Sequence, residues 1–568
     1  MRSGMGKALA AACVLVPLLA SCTSTPPPPS PTTTTKVTPT EQDLSQIVVG
    51  VDELSGGYNP HAVADISPVT QALAQLLLPS VFRPDDDGEP ELDKTLMRSA
   101  RVVSNDPFTV AYTIRPDASW SDGAPIAAED FIYLAEVMRS EPGTVAPAGY
   151  RLIDEVASRG GGKRVEVTFT ERYQGWRHLF SHLLPAHLLK DVPGGWQAAL
   201  RSSFPAYGGP FAIKSIDTAR GEILLERNER YWEKPAAVDQ LVLRRSDQQG
   251  IAAALRNGNN QFALSRTDAA GLEALRQLGD RVELHTVARP EVAELQLRPT
   301  GEVLADDDAR AGIAALLDRG ELIAAGVEGG PSAKLRAHAQ LAAPTEDAYR
   351  STIPAVAASP HPQRAERLLT KAGYRKSAGR WRTSGGEPLS LTVASPGERE
   401  PYAAIANELT DQLAGAGIQA RAETPDPREL FATDPADPDT EPVAGGDGID
   451  IAVAPRPVGA DDAATFASRF GCRAAREPES SDSAMTPGNV AGFCDERVQR
   501  IIDATVTGDR QLSDTVDEAE PRLWRANVTI PLFQLADTLA LTPDVAGVSA
   551  GPALAGPFSS AVNWVRTG

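Results

Sequence analysis

The sequence predicts an α/β protein with more than one lobe. Short apolar segments with strand character alternate with segments whose apolar residues have helical spacing. The length of 568 residues is enough for about three or four domains of ordinary size. The pattern is clearest where residues 389–395 and 418–423 have strand character. Residues 401–416 between them carry apolar side chains four positions apart and end at Gly417, so we expect one βαβ unit here.

Six further strands and one further helix follow from the same patterns. The helix, at residues 365–371, is amphipathic and ends before Gly373. Each strand shows apolar alternation or a run of β-branched residues. The strands are predicted at residues 46–52, 164–170, 222–228, 240–246, 281–288 and 450–454.

The charge and composition of the chain exclude two classes of protein. Lysine and arginine number 55 against 75 aspartates and glutamates, so the formal net charge is −20. A chain this acidic is unsuited to nucleic acid, because binding to phosphates depends on cationic side chains that release counterions. The apolar fraction of 42% is ordinary for a globular protein and excludes one with many membrane spans.

The N-terminus has the features of an export signal. Arg2 and Lys7 precede the apolar run 8–20, which is too short to span a bilayer core of about 30 Å. The run ends in Leu-Ala-Ser-Cys, which resembles the bacterial lipobox, where the signal is cut before a cysteine that is then acylated. We predict a signal peptide at residues 1–21 and a lipid-bearing Cys22. The alternative is a plain secretory peptide with a chance cysteine.

The segment that follows predicts an extended tether. Residues 22–43 contain four consecutive prolines and a threonine run, a composition that cannot pack a core. Once Cys13 leaves with the signal and Cys22 is acylated, the thiols left in an oxidising exterior are Cys472 and Cys494. We predict a disulfide between them. The alternative is two unrelated buried thiols.

Patterns typical of enzymes and metal sites lack their partner residues. Residues 547–551 match the GxSxG nucleophile pattern, but no histidine follows to complete a catalytic triad. His178 and His182 are four residues apart, but no HExxH glutamate accompanies them and no third ligand is evident. We therefore expect no enzyme activity, no cofactor and no metal site. A secreted hydrolase is a remote alternative.

Six segments carry short motifs that are weak singly and specific together. They are SWSDGAPIAAEDF (119–131), LPAHLL (184–189), GGPFAIKS with LLERNERYWEKP (208–235), DARAGIAALLDRGELI (308–323), ERLLTKAGY (366–374) and NVAGFCDERVQRIIDAT (489–505). In this order they resemble the extracytoplasmic solute-binding proteins of ABC importers, family 5, the oligopeptide and dipeptide class. The resemblance implies that His187 is structural. Ala127 stands where the family usually has a serine or threonine helix cap.

The resemblance implies a two-lobed fold of the periplasmic-binding-protein type, class II, that closes on a ligand like a hinge. Lobe I is expected at residues 44–68, 191–288 and 521–568, with an inserted subdomain at 69–190, and lobe II at 289–520. The implied function is capture of a solute without chemistry by a monomer, with an ABC permease as partner.

Candidate ligand contacts follow from position in the expected cleft. Tyr58 and Asn59 come after the first strand, at the end where α/β sheets present ligands, although an ordinary surface turn would look the same. In the peptide binders, an aromatic residue and then an acid that takes the peptide's amino terminus follow the last predicted strand. Here Arg456 stands in place of the aromatic, and its planar guanidinium suits a phosphate or carboxylate. Asp461 and Asp462 retain the acid.

A second function is implied by a narrower resemblance. The proline and threonine tether, the stretch LLERNERYWEKPAAVDQL and the ending GPFSSAVNW resemble a mycobacterial lipoprotein associated with regulating phosphatidylinositol mannoside and lipoarabinomannan synthesis. That role implies a glycolipid-type ligand and envelope biosynthetic enzymes as partners, in place of a small peptide and a permease. Both functions place the protein on the outer face of the cell membrane of an actinobacterium, held there by its lipid.

Overall fold

A pair of long strands runs through the middle of the molecule and joins its two halves. The structure is a computed structural model, and it describes residues 44–54, 56–431, 448–459, 461–472 and 488–567. Within these residues the strands are β1 (Gln46–Val51), β2 (Phe82–Pro84), β3 (Pro90–Leu92), β4 (Met97–Asn105), β5 (Phe108–Ile114), β6 (Ile153–Arg159), β7 (Arg164–Phe169), β8 (Phe211–Asp217), β9 (Glu222–Arg227), β10 (Gln240–Arg245), β11 (Phe262–Ser265), β12 (Glu283–Leu297), β13 (Arg375–Ser377), β14 (Arg380–Arg382), β15 (Ser390–Ala394), β16 (Gln419–Glu423), β17 (Ile451–Pro457), β18 (Thr529–Leu541), β19 (Val545–Ala546) and β20 (Val565–Arg566).

Helices cover the faces of this sheet framework. In the same residues they are α1 (Pro68–Leu77), α2 (Ala128–Ser140), α3 (Ala148–Arg151), α4 (Ala186–Leu189), α5 (Gly195–Ala199), α6 (Gln248–Arg256), α7 (Ala269–Arg276), α8 (Asp307–Ala314), α9 (Arg319–Val327), α10 (Ala355–Ala358), α11 (Pro362–Lys371), α12 (Tyr402–Ala416), α13 (Pro427–Phe431), α14 (Asp462–Phe470), α15 (Glu496–Val506) and α16 (Leu512–Ala526). Among the described helices, none combines the length and apolar character needed to cross a bilayer.

The strands form one large sheet and several small ones. The large sheet has ten strands in the order β16-β15-β17-β12-β18-β11-β1-β10-β9-β8, and a separate four-stranded sheet has the order β4-β5-β7-β6. β15 and β16 are parallel and joined by α12, which ends at Gly417 with a positive φ of 95°. The predicted βαβ unit is therefore confirmed.

The central pair β12 and β18 crosses from one half of the sheet to the other. The two strands are antiparallel over most of their length, with a register shift between Ala288 and Val292. Before the shift, β18 also pairs with β11, and after it β12 also pairs with β17. The crossing at the register shift joins one half of the sheet, built around β1 and β8–β11, to the other, built around β15–β17. We call these halves lobe I and lobe II, and the crossing between them the hinge.

Each lobe has its own apolar core. The core of lobe I extends under the four-stranded sheet and contains the fully buried Trp120, Trp196 and Trp564. The core of lobe II lies between α9, α12 and the sheet, and contains Leu409 and Phe533 among others. Two cores joined by two strands make a two-lobed α/β fold, which confirms the fold class predicted from the sequence.

The helices α14 and α15 pack on the core of lobe I through apolar contacts. Phe466, Phe470, Val498 and Ile501 from these helices belong to the same continuous cluster as the core of lobe I. The backbone N–H of Ala148, in the segment predicted as the inserted subdomain, donates to Ser468 Oγ at 3.1 Å. The predicted lobe boundaries stay predictions, because a contact surface of this kind does not define which lobe a helix belongs to.

A disulfide joins the segment that follows α14 to the segment that precedes α15. Cys472 follows α14 and Cys494 precedes α15, and their Cα atoms are 5.1 Å apart. The link closes a loop that connects two helices packed on each other. Cys22 lies outside the described residues, and its acylation stays a prediction.

Candidate ligand-binding cleft

A buried ion pair fixes the geometry of the hinge. Arg289 Nε donates to both carboxylate oxygens of Asp537 at 2.9 Å, and both side chains are almost fully buried. Arg289 lies on β12 at the register shift, and Asp537 lies opposite on β18. Asp52, after β1, adds a second acid: burial raises its pKa to about 7, although the nearby Arg289 opposes the rise. The hinge therefore carries a charged cluster beside the space between the lobes.

A cavity of about 290 Å³ lies between the lobes next to this hinge. We call it the cleft. Lobe I lines it with Glu53, Leu54, Gly56, Ala64, Asp65 and Ser67, and lobe II lines it with Pro396, Glu398, Arg399, Asp426, Pro427 and Arg428. Most of these residues follow the C-terminal ends of β1, β15 and β16, and the ends of parallel strands are where α/β sheets present ligands. The cleft thus has four carboxylates and two guanidinium groups facing a small volume.

Ion pairs cross the cleft from one lobe to the other. Arg428 Nη2 lies 2.6 Å from Asp65 Oδ2, and Arg399 Nη2 lies 3.4 Å from Glu53 Oε1 and also donates to the carbonyl of Ile66. We call the Arg428–Asp65 and Arg399–Glu53 pairs the cross-cleft pairs. Burial raises the pKa of Asp65, and Arg428 opposes that rise. Two of the four acids of the cleft, both from lobe I, are therefore paired with the two arginines from lobe II.

An apolar contact closes one side of the cleft. Val63 and Ile66 from lobe I pack in a cluster with Ala394, Leu430 and Phe431 from lobe II. Because the hydrophobic effect is not directional, this contact imposes no hydrogen-bond geometry of its own on the two lobes. We call these five residues the apolar strip. Separation of the lobes would expose the strip and break the cross-cleft pairs.

The first two predicted ligand residues lie behind the wall of the cleft. Tyr58 is buried with its ring 6.2 Å from that of Phe204, and its backbone N–H donates to the carbonyl of Leu200. Asn59 is 0% exposed, and its backbone N–H donates to Asp65 Oδ2 at 3.0 Å. Asn59 Nδ2 is buried and has no hydrogen-bond partner among the described residues. Asn59 thus holds a carboxylate of the cleft in position, and direct contact of either residue with a ligand stays a prediction.

The other predicted ligand residues lie together near the start of α14. The Arg456 Nη1 atom donates to the carbonyls of Gln340 and Leu341 at 2.9 Å, so its guanidinium binds backbone. Asp461 accepts from Ala464 N–H as the cap of α14 and from the Tyr173 hydroxyl at 2.6 Å. Contact of these residues with a ligand stays a prediction.

A carboxyl pair completes this second group. Asp462 and Glu346 hydrogen-bond each other, and burial raises the pKa of both, that of Glu346 to about 7.

None of the five predicted ligand residues is among those that line the cleft, so the structure divides them between two regions.

The charged residues that line the cleft were not predicted from the sequence. Arg399 and Arg428 follow the predicted strands 389–395 and 418–423, so the strand-end argument applied to Tyr58 would have located them. Asp65 had no such signal, because it lies in a short 3₁₀ turn, Val63–Asp65, without strand or helix periodicity.

Comparison with known proteins decides the family. Residues 91–470 match the bacterial extracellular solute-binding proteins, family 5. The chain belongs to this family. The resemblance predicted from the sequence motifs is therefore confirmed.

Family 5 includes two kinds of relative that bear on this chain. LpqW of Mycobacterium tuberculosis, described as a probable monoacyl phosphatidylinositol tetramannoside-binding protein, is 34% identical over 99% of this chain and 98% of its own length. The oligopeptide-binding protein OppA of Mycobacterium bovis is 26% identical over 62% of this chain and 60% of its own length.

Solved structures of similar fold bind chemically different ligands. The oligopeptide-binding protein AppA of Bacillus subtilis, in complex with a nonapeptide, has a TM-score of 0.70 at 15% identity, covering 92% of this chain and 99% of that one. The periplasmic EDTA-binding protein EppA has a TM-score of 0.70 at 22% identity, covering 92% and 96%. At these identities the likeness establishes the fold of the family 5 chain and leaves its ligand open.

Proposed function

We propose that this chain captures a small polar solute between its two lobes, outside the cytoplasm, and leaves it chemically unaltered. The observation that carries the proposal is a cleft beside the hinge with acids on the wall from lobe I, and acids together with two arginines on the wall from lobe II. A ligand that contacts both walls favours the closed arrangement over the open one, and that difference in affinity is what drives closure. Membership of family 5 supports the same function.

The favoured ligand class is a short peptide or a similar zwitterion. Its carboxylate would pair with Arg399 or Arg428, and its amino group with one of the four acids of the cleft. The volume of about 290 Å³ is at the lower end of the range of roughly 300–1,000 Å³ typical of ligand sites. This size supports a ligand of a few residues in preference to a long peptide. Delivery to an ABC permease is part of this proposal.

A second candidate is the recognition of a mannosylated inositol lipid. The full-length similarity to LpqW favours it. Sugar hydroxyls bind well to carboxylates and guanidinium groups, so the cleft chemistry supports a polyhydroxyl headgroup as well. In that case the partners would be envelope biosynthetic enzymes, and the role would be regulation without transport.

Thermal unfolding with two ligand pools tests the cleft and chooses between the candidates. A ligand that binds the folded state at 100 times its Kd stabilises it by about 2.7 kcal/mol, which raises Tm measurably. We expect di- and tripeptides to raise Tm. If soluble phosphatidylinositol mannoside headgroups raise Tm and the peptides do not, the second candidate is selected. A Tm unchanged by either pool at millimolar concentration would contradict capture in the cleft.

A variant that fills the cleft makes the test specific. A Cβ atom added at Gly56 meets no described atom within 4 Å, and Gly56 lines the cavity, so we expect Gly56→Trp to place its indole there. We expect this variant to lose the ligand-induced rise in Tm. Gly415→Trp is the matched control, because Gly415 has equally open surroundings on exposed α12, away from the cleft.

The proposed lipid anchor has its own test. Acylation of Cys22 predicts that the mature protein partitions into the detergent phase of Triton X-114, because the acyl chains bury apolar surface there. We expect Cys22→Ser to move the protein to the aqueous phase, and Cys13→Ser to leave partitioning unchanged. Equal partitioning of the wild type and Cys22→Ser would contradict the anchor.

A further inference from the structure

Lobe II has a second cavity, of about 580 Å³, that shares no lining residue with the cleft. We call it the lateral pocket. It lies between α8, α9 and α16, and the segment around α10 covers it. Its volume is twice that of the cleft and is ordinary for a site that binds a drug-sized molecule.

The body of the lateral pocket is apolar. Ala314, Leu317, Leu322 and Ile530 line its floor, and Trp524 lines one side. The Trp524 ring is buried, with Nε1 donating to Thr352 Oγ1 at 3.1 Å, so the indole presents carbon atoms to the cavity while its polar atom is satisfied. Val356, on the covering segment, is 45% exposed and is one of the few large apolar side chains so exposed in the described chain. These surfaces match an aliphatic chain.

Three arginines line the same pocket, namely Arg319, Arg364 and Arg525. No aspartate or glutamate among the described residues lines it. None of the three forms an ion pair with a carboxylate in the part of the chain that the structure describes. In a chain with a formal net charge of −20, three cations without a counterion around one apolar cavity are a specific local feature.

Arg319 shows how strongly the pocket favours a negative charge. It is 6% exposed, and its guanidinium donates to the carbonyls of Pro531 and Leu532 at 2.8 and 3.1 Å. Burial, with a smaller contribution from the nearby Arg336, lowers its pKa to about 10, although Tyr349 opposes the fall. A buried cation with neutral acceptors alone is stabilised when an anion enters beside it.

From the apolar body and the uncompensated arginines we infer that the lateral pocket binds the carboxylate of a single-chain fatty acid, with the aliphatic chain along Trp524 and the carboxylate among the three guanidinium groups. The planar guanidinium donates two parallel hydrogen bonds to a carboxylate, which favours this head group. A cavity of about 580 Å³ holds one chain in preference to two. The site is independent of the proposed function of the cleft.

Calorimetry with a set of twelve-carbon amphiphiles tests the head group. The protein is the full chain with Cys22→Ser, so that no attached acyl chain competes. We expect dodecanoate to bind below its critical micelle concentration, and dodecyl maltoside and dodecyltrimethylammonium to bind at least tenfold more weakly, because neither has an anion for the arginines. Equal binding of all three, or tighter binding of dodecyl phosphate, would overturn the assignment of a carboxylate.

Variants locate the binding to the lateral pocket. Arg364→Gln with Arg525→Gln removes two surface cations and is expected to weaken dodecanoate binding about tenfold or more. Arg367→Gln is the matched control, since Arg367 is exposed on the same helix and does not line the pocket. Wild-type affinity in the double variant would overturn the role of the arginines.

Fluorescence gives a readout that does not depend on stability. A brominated fatty acid quenches tryptophans in contact with it, and the chain has seven. We expect dibromostearate to quench part of the emission, and Trp524→Phe to lose that quenched part while calorimetric binding persists. Unchanged quenching in Trp524→Phe would overturn the placement of the chain. Dimerisation through the pocket, measured by sedimentation without fatty acid binding, would assign the surface to a second copy and overturn the inference.

Discussion

At the start of α14, two carboxyl groups that are distant in the sequence, Glu346 and Asp462, share a hydrogen bond. Burial and the Asp462 charge raise the pKa of Glu346 from its ordinary 4.5 to about 7, while Arg456 opposes the rise. Burial also raises the pKa of Asp462. Below about pH 7, the pair therefore holds a proton that Glu346 and Asp462 share in their hydrogen bond.

This pair predicts a loss of stability as the pH rises. The folded protein binds the Glu346 proton more tightly than the unfolded chain does, so its stabilising contribution is complete below about pH 4.5 and is lost as the pH rises through about 7. Between pH 5.5 and 8.5 the free energy of unfolding should therefore fall, with about 1 kcal/mol of the fall due to Glu346 after discounting for partial exposure.

Glu346→Gln should remove that part of the pH dependence. Urea denaturation of wild type and variant at the two pH values measures it, and Asp52, whose pKa is also raised to about 7, contributes equally to both proteins. The neighbouring Asp347 is exposed, so Asp347→Asn should keep the wild-type pH profile. If the free energy of unfolding of Glu346→Gln falls between the two pH values by as much as that of the wild type, both carboxyl groups of the pair are ionised over this whole range.

Individual residues also show where sequence patterns stop being informative. The family resemblance selected Arg456, which does lie near the end of β17, but its guanidinium donates to the carbonyls of Gln340 and Leu341, far away in the chain. No local pattern encodes that contact. Arg399 and Arg428 follow predicted strands, so the cleft cations were within reach of the strand-end argument. Asp65 was not, because its role depends on the position of Asn59 and Arg428.

At the level of single elements, the start of α2 is held in place by the side chain of Asp130. Ala127 provides no side-chain acceptor, as the sequence indicated, but Asp130 Oδ2 accepts the Ala127 N–H at 2.9 Å. Asp130 also accepts from Ala186 N–H at 3.0 Å and from Trp120 Nε1 at 3.3 Å. Its pKa is raised to about 6, mainly by burial. One carboxylate therefore ties α2 to two loops.

Asp130→Ala should destabilise the protein by about 2 to 3 kcal/mol. The change leaves buried donors without an acceptor, and each unsatisfied donor costs about 1 to 3 kcal/mol. Glu129→Ala is the matched control, because Glu129 is exposed in the same first turn and makes a contribution of a few tenths of a kcal/mol through the helix dipole. Chemical denaturation measures both. Equal losses in the two variants would mean that charge near the helix end, and not these hydrogen bonds, is what Asp130 supplies.

The strands show which parts of the fold the sequence could predict. Strands occur at all eight predicted segments and begin within two residues of the predicted positions. The segment 281–288 continues to Leu297 as β12, and β18 was not predicted at all. Residues 529–541 are buried on both faces, so they lack alternation, and they contain Pro531. Of the two strands that cross the hinge, part of β12 was therefore predicted and β18 was missed, as were eleven shorter strands elsewhere in the described residues.

For the whole molecule, the position of the hinge decides how the lobes communicate. The large sheet continues through β12 and β18, so the lobes cannot separate without bending these two strands near Arg289 and Asp537. The cross-cleft pairs lie beside the same place. Opening therefore exchanges ion pairs between the lobes for ion pairs with solvent or with a ligand, and the equilibrium is sensitive to each of these charges.

Removing the cross-cleft pairs should shift the unliganded protein toward the open arrangement. Arg399→Gln with Arg428→Gln leaves Glu53 and Asp65 without their partners in the other lobe, so the closed state loses attraction and retains repulsion between acids. Small-angle scattering should show a radius of gyration about 1 Å larger than the roughly 24 Å expected for a folded chain of this size. Arg244→Gln is the control, because it breaks an ion pair with Glu222 within lobe I. Identical scattering from the double variant and the wild type would mean that the apolar strip, and not charge, holds the lobes together.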